Sequence, residues 1–168
     1  MERLWAPWRM KYVSGDSARE LPEGTCVLCL KWQERNDTEN LVLWRGEHCY
    51  MMMNLFPYSN GHLMVLPIRH TADLAELTEV ERLELFELTL KGKDALSSTM
   101  NPNGFNVGMN LGRIAGAGIE DHLHLHIVPR WNGDTNFMPV LGDTRVISEA
   151  LDDTYQKLKQ VMEPTNNK

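Results

Sequence analysis

A chain of 168 residues, 42% hydrophobic and 24% charged, has the length and composition of one soluble globular unit. Its net charge of −6 excludes the broad basic face that duplex nucleic acid demands, while leaving room for a small anionic substrate bound by local donors. The sequence holds no apolar run near the roughly 20 residues that span a bilayer, and Met1 to Lys11 lack a signal-peptide core. No nucleic-acid or membrane partner is therefore expected, and the cytoplasm is the expected compartment.

Residues 1–20 carry Trp5, Trp8 and Tyr12 without a clean period and read as an arm packed on the domain or on a partner subunit. The domain proper is expected over 21–164, and 165–168 as a frayed polar tail. Cys26-x-x-Cys29 follows Pro22-Glu23-Gly24 rather than opening a thioredoxin-like unit, so a redox role is disfavoured. It reads as half of a four-coordinate zinc site that still needs two nitrogen or sulfur ligands, or else as a plain structural pair. Cys49 reads as a small core hydrophobe.

Strands are expected at 41–45, 48–55 and 62–66, with Pro57 to Gly61 as a loop and Pro67 closing the third. Spacing this close favours an antiparallel meander. Thr78-Glu79-Val80-Glu81 is a capping box that opens a helix, with Leu83, Phe86 and Leu90 as its apolar stripe, running to about Leu96. After the turn Asn101 to Gly104 come a strand at 105–110, a glycine-containing loop at 112–118 and a fifth strand. A last helix is expected from about Arg145 to Met162, burying Ile147, Leu151, Leu158 and Val161. The order βββ-α-ββ-α gives an α+β domain with helices on one face of an antiparallel sheet.

The fifth strand carries the chemistry. In Asp121-His122-Leu123-His124-Leu125-His126-Ile127 the histidines alternate with apolar residues, so Leu123, Leu125 and Ile127 enter the core and three imidazoles line the opposite surface. Such a row suits a metal stripe or attack on phosphorus by the middle imidazole. In the second case His124 must be neutral, with one nitrogen held by an acceptor such as a backbone carbonyl and the other free. His126 can then donate to phosphate oxygens or the leaving group. Gly116-Ala117-Gly118 is either a plain turn or a phosphate cradle of backbone amides.

His122 to Val128 also resemble the signature of the histidine triad (HIT) superfamily, His-x-His-x-His followed by two apolar residues. The likeness runs from about Cys26 to Trp131 and includes Met53 to Pro67. It implies a HIT-like five-stranded antiparallel sheet and a nucleotide hydrolase or transferase that works through a nucleotidyl-histidine intermediate. His124 would be the nucleophile, and His126 would contact phosphate or leaving group. Asn110 matches the family's phosphate-site asparagine. Asn54 matches its ribose position, where other branches use Asp, or is a structural strand-end residue. Where many members have Ser or Thr, this chain has Ile119, so the backbone amides of Gly118 and Ile119 would serve instead. Some bacterial members bind zinc through residues matching Cys26, Cys29, His70 and His122, and His62 then reads as a structural turn histidine.

Trp5 to Arg9, Asn106 to Asn110 and Trp131 to Pro139 resemble the bacterial diadenosine tetraphosphate phosphorylase (ATP adenylyltransferase) branch, which uses inorganic phosphate to give ADP and ATP. Galactose-1-phosphate uridylyltransferases have Gln where this chain has His126 and do not fit. The implied assembly is a homodimer or higher homo-oligomer. Hydrolysis by water and a nucleotide-binding regulator with little turnover are the competing readings.

Overall fold

The computed structural model describes residues 24–134 and 149–163. The expected arm, the tail, Ile147 and the expected helix start at Arg145, and the Thr135 to Pro139 end of the third resemblance segment lie outside the described residues; the last helix begins at Leu151, with Ala150 extended as its cap.

Two short helices, α1 (Val27–Gln33) and α2 (Asp37–Asn40), precede the sheet. The strands are β1 (Val42–Arg45), β2 (Cys49–Met53), β3 (Leu63–Pro67), β4 (Gly104–Met109) and β5 (Leu125–Arg130). A long helix α3 (Glu79–Met100) joins β3 to β4, and α4 (Leu151–Met162) follows β5. All pairings are antiparallel, in the order β1-β2-β3-β5-β4. The chain thus crosses to the far edge as β4 and returns to insert β5 beside β3. That insertion sets Met64 of β3 and Gly108 of β4 against His126.

Alternation along the strands builds two apolar layers. Cys49, Met51 and Met53 of β2 and Leu125 and Ile127 of β5 meet Leu85, Leu88 and Leu96 of α3 and Tyr155 and Leu158 of α4. Val42, Tyr50, Met52, Met64 and Leu66 form the opposite layer, closed in part by Leu28 of α1. The central strands β2 and β3 are buried along their whole length because both faces are covered. The two long helices share one face, as expected, while the shorter α1 packs on the other.

The capping box at α3 forms as the sequence indicates. The Thr78 hydroxyl accepts from the Glu81 amide, and the Glu81 carboxylate accepts from the Thr78 amide. The helix runs to Met100 and ends on Asn101 in the left-handed region at φ 46°. The expected stripe, however, points the wrong way. Leu83, Phe86 and Leu90 are 61%, 60% and 61% exposed, and Leu85, Leu88 and Leu96 face the sheet instead. Both faces of α3 are apolar, so periodicity finds the helix without choosing the face that is buried. Gly92 lies where α3 approaches the sheet most closely: a Cβ there would come within about 3.0 Å of Ile127 Cδ1 and Met51 Sδ. In α4 the buried positions are Thr154, Tyr155, Leu158 and Met162, with Leu151 partly buried and Val161 exposed. No helix among the described residues is long and apolar enough to cross a membrane.

Candidate active site and metal centre

Leu123, Leu125 and Ile127 enter the helix-side core, so the alternation read in the histidine run holds. The ladder begins only at Leu125; His122 to His124 lie in the segment leading into β5. That segment is tied down by the Leu123 amide, which donates to the Thr71 carbonyl at 2.7 Å. All three imidazoles are buried, with His124 8% exposed.

Hydrogen bonds distinguish the three rings. His124 Nδ1 lies 2.8 Å from the His122 carbonyl, which can only accept, so Nδ1 carries the proton and Nε2 the lone pair. His126 is fixed through a neighbour. The Tyr58 amide donates to His62 Nδ1 at 3.0 Å, so His62 carries its proton on Nε2 and donates to His126 Nδ1 at 2.9 Å. His126 therefore carries its own proton on Nε2, a buried atom with no partner among the described residues. The rings of His124 and His126 meet edge to face at 4.8 Å. Burial, reinforced by His124, pushes the His126 imidazole down to about 4, so it is neutral at pH 7. A lone pair and an N–H donor thus stand side by side. His62, read from sequence as a turn residue, is fully buried and stacked on Tyr58 at 4.7 Å. Its link to His126 spans 64 positions and has no local sequence signal.

His122 faces away from this pair. Its Nε2 donates to the Pro67 carbonyl at 2.9 Å, which leaves the Nδ1 lone pair 3.3 Å from Cys26 Sγ and 3.4 Å from Cys29 Sγ. His70 Nδ1 lies 3.5 Å from Cys29 Sγ, and all four donor atoms fall within 4.8 Å of one another. A tetrahedral zinc with ordinary Zn–S and Zn–N bonds requires sulfur–nitrogen separations of about 3.6 Å. The sulfur–nitrogen separations of 3.3, 3.4 and 3.5 Å lie close to this value, and two thiols with two imidazoles are a donor set that zinc favours. Burial and the adjacent Cys26 push the Cys29 thiol up to about 11, an environment in which two thiolates need a cation to coexist. Cys49 lies apart, fully buried in the helix-side core.

The remaining candidates flank the pair. Asn54 follows β2; its Oδ1 accepts from the Phe56 amide at 2.8 Å as a turn residue, leaving Nδ2 as its donor end. Asn110 follows β4, and its Nδ2 lies 3.4 Å from the Gly116 carbonyl, bracing the loop. Gly116 needs its glycine, at φ 96°, whereas a Cβ on Gly118 would meet open space. Ile119 packs its side chain against the layer of Val42, Tyr50 and Met64.

This fold, with a buried histidine run beside a Cys₂His₂ cluster, defines a class. The HIT domain family model matches residues 35–133, and the chain belongs to the HIT family as one of its enzymes. Among its relatives, an "AP-4-A phosphorylase" of Mycobacterium tuberculosis is 40% identical over 161 residues, covering 94% of this chain and 83% of that protein. The nitrilase and fragile histidine triad fusion protein NitFhit of Caenorhabditis elegans is 30% identical over 129 residues, 77% of this chain and 26% of that protein. The fold is shared with a zinc-bound histidine triad family protein from Mycobacterium smegmatis, at TM-score 0.65 and 23% identity, covering 82% of this chain and 93% of that one.

Proposed function

We propose that the chain transfers a nucleotidyl group from a dinucleoside polyphosphate to inorganic phosphate, with diadenosine tetraphosphate giving ADP and ATP. The observation that carries this reading is the fixed tautomer pair: a lone pair on His124 Nε2 beside a proton on His126 Nε2. The 40% identity to an AP-4-A phosphorylase supports the substrate class and the acceptor.

In the first displacement His124 Nε2 attacks the α-phosphorus, forming a P–N bond as the P–O bond to the leaving nucleotide breaks. The leaving oxygen departs as a phosphate anion and needs only the His126 N–H hydrogen bond. The imidazole keeps its Nδ1 proton, and the charge developing on the ring is stabilised by the His122 carbonyl. In the second displacement a phosphate oxygen attacks the same phosphorus and the P–N bond breaks, restoring His124. Asn110 and the amides of Gly118 and Ile119 would hold the phosphate oxygens, and Asn54 the ribose through Nδ2; the Gly116 amide, expected to join them, donates instead to the Arg113 carbonyl at 3.0 Å and shapes the loop. Cys26, Cys29, His70 and His122 would hold zinc, which supplies a structural cross-link between α1, the β3 exit and the histidine segment.

We also read the protein as a cytoplasmic homodimer. The outward face of α3 places Leu83, Phe86 and Leu90 in solvent, and among the described residues β4 leaves one sheet edge unpaired. Glu79 and Lys93 lie at equal distances either side of Phe86. A two-fold axis at Phe86 therefore opposes unlike charges while burying the stripe.

The test is product analysis with diadenosine tetraphosphate, with and without phosphate. ADP plus ATP, appearing only with phosphate, is expected. AMP plus ATP would assign water as acceptor, and tight nucleotide binding without turnover would assign a regulator.

A further inference from the structure

The four donors of the metal centre are not equally restrained. Cys26 and Cys29 are carried by α1 and its N-terminal boundary, and His122 is locked by the Pro67 carbonyl. His70 belongs to the irregular link between β3 and α3, with its side chain 46% exposed and its own contacts long: the His122 ring edge-on at 5.2 Å, Cys29 Sγ at 3.5 Å from Nδ1, and the exposed Asp121 carboxylate at 3.9 Å from Nε2. A ligand this open owes its position to the backbone on either side.

That backbone is gripped at both neighbours. On one side the Thr71 carbonyl accepts the Leu123 amide, and the Thr71 hydroxyl donates to Glu76 at 2.6 Å. On the other side Arg69 donates through Nε and Nη2 to the two oxygens of Glu81, both at 3.0 Å, and through Nη2 to the Glu76 carbonyl at 2.8 Å. The fork fixes the plane of the guanidinium as well as its distance, which a single contact would not. Glu81 is itself immobile, being 6% exposed and the N3 member of the α3 capping box. The pair therefore joins the first turn of a 22-residue helix to the residue next to His70.

We infer that the Arg69–Glu81 pair is a positioning element for the metal ligand His70, rather than only an ion pair within the fold. The inference rests on the metal reading given above. Groups that orient a ligand from outside the coordination sphere affect metal affinity by about 10- to 100-fold, and Arg69 acts on His70 through one peptide unit.

Structural and positioning roles separate in a designed pair of variants. Arg69→Met strands a buried carboxylate and lowers stability whatever its role. Adding Glu81→Gln removes that charge and keeps the capping box, so R69M/E81Q recovers stability without restoring the fork. Zinc affinity is measured by competition with a chromogenic chelator, and the ligand set by the visible spectrum of the cobalt-substituted protein, with His70→Ala as reference. The double variant is expected to regain a wild-type melting midpoint in zinc-free buffer while binding zinc about 10-fold or more weakly, with a cobalt spectrum moved toward that of H70A. Zinc affinity within twofold of wild type and an unchanged cobalt spectrum would overturn the positioning role. Failure of the wild-type protein to take up either metal would instead remove the metal reading, and this inference with it.

Discussion

A proton on one ring nitrogen decides what each histidine of the run can do. The His122 carbonyl accepts from His124 and so holds its proton on Nδ1, and the Tyr58 amide, acting through His62, leaves the His126 proton on Nε2. Replacing His62 by Leu removes the donor to His126 Nδ1, so His126 can turn its lone pair toward the substrate. We expect kcat to fall by about 10²-fold, the low end of what a positioned proton donor contributes, with KM little changed; steady-state kinetics on diadenosine tetraphosphate would measure it. The sequence identified the run and the neutrality that attack requires. It could not show His62 as a partner, because that contact exists only once β3 and β5 pair.

Burial of His126 also makes stability depend on pH. The group titrates near 4 in the folded chain and at 6.5 ordinarily, so between these values the unfolded chain binds more protons. Its contribution is complete above pH 6.5 and is lost as pH falls toward 4. Urea denaturation at pH 7 and pH 4.5 should show wild type losing about 2 kcal/mol through this group, and His126→Gln correspondingly less.

Among the elements, α3 shows where pattern reading succeeds and where it stops. Thr78 and Glu81 announce the helix start because a capping box is local. The burial of Leu85 rather than Leu83 is decided by a sheet whose strands flank the helix in sequence. Helix α1 carries no sequence signal, because its seven residues bury one full side chain, Leu28, and leave no apolar period to detect. Gly92 has a different lesson: glycine disfavours helix, yet here it permits close approach to Ile127 and Met51. Gly92→Val should therefore destabilise the fold by about 1–3 kcal/mol by overpacking, read as a lowered denaturation midpoint with unchanged helix content in the native baseline.

At the scale of the molecule, the candidate metal cluster and the proposed reacting pair meet in one residue. His122 offers Nδ1 to Cys26 and Cys29 while its carbonyl holds His124 Nδ1. Spacing alone exposed Cys-x-x-Cys as half a site. His70 and His122 joined it through family resemblance, and the fold brings all four donors together from three separate segments. Removing zinc with a strong chelator should lower the melting midpoint and the turnover together, and restoring zinc should recover both. Charging the outer stripe of α3 with Leu83→Glu and Phe86→Glu should shift the species seen in analytical ultracentrifugation from dimer to monomer, without loss of helix content.

The central claim is that His124 carries the nucleotidyl group between two in-line displacements, and the configuration at the transferred phosphorus tests it most directly. A diadenosine tetraphosphate analogue bearing one sulfur of known configuration at the attacked phosphorus is converted, with phosphate, to a thio-ADP whose diastereomer can be assigned. Two inversions through His124 predict overall retention. Overall inversion would mean that phosphate attacks the substrate directly, and His124 would not be the nucleophile.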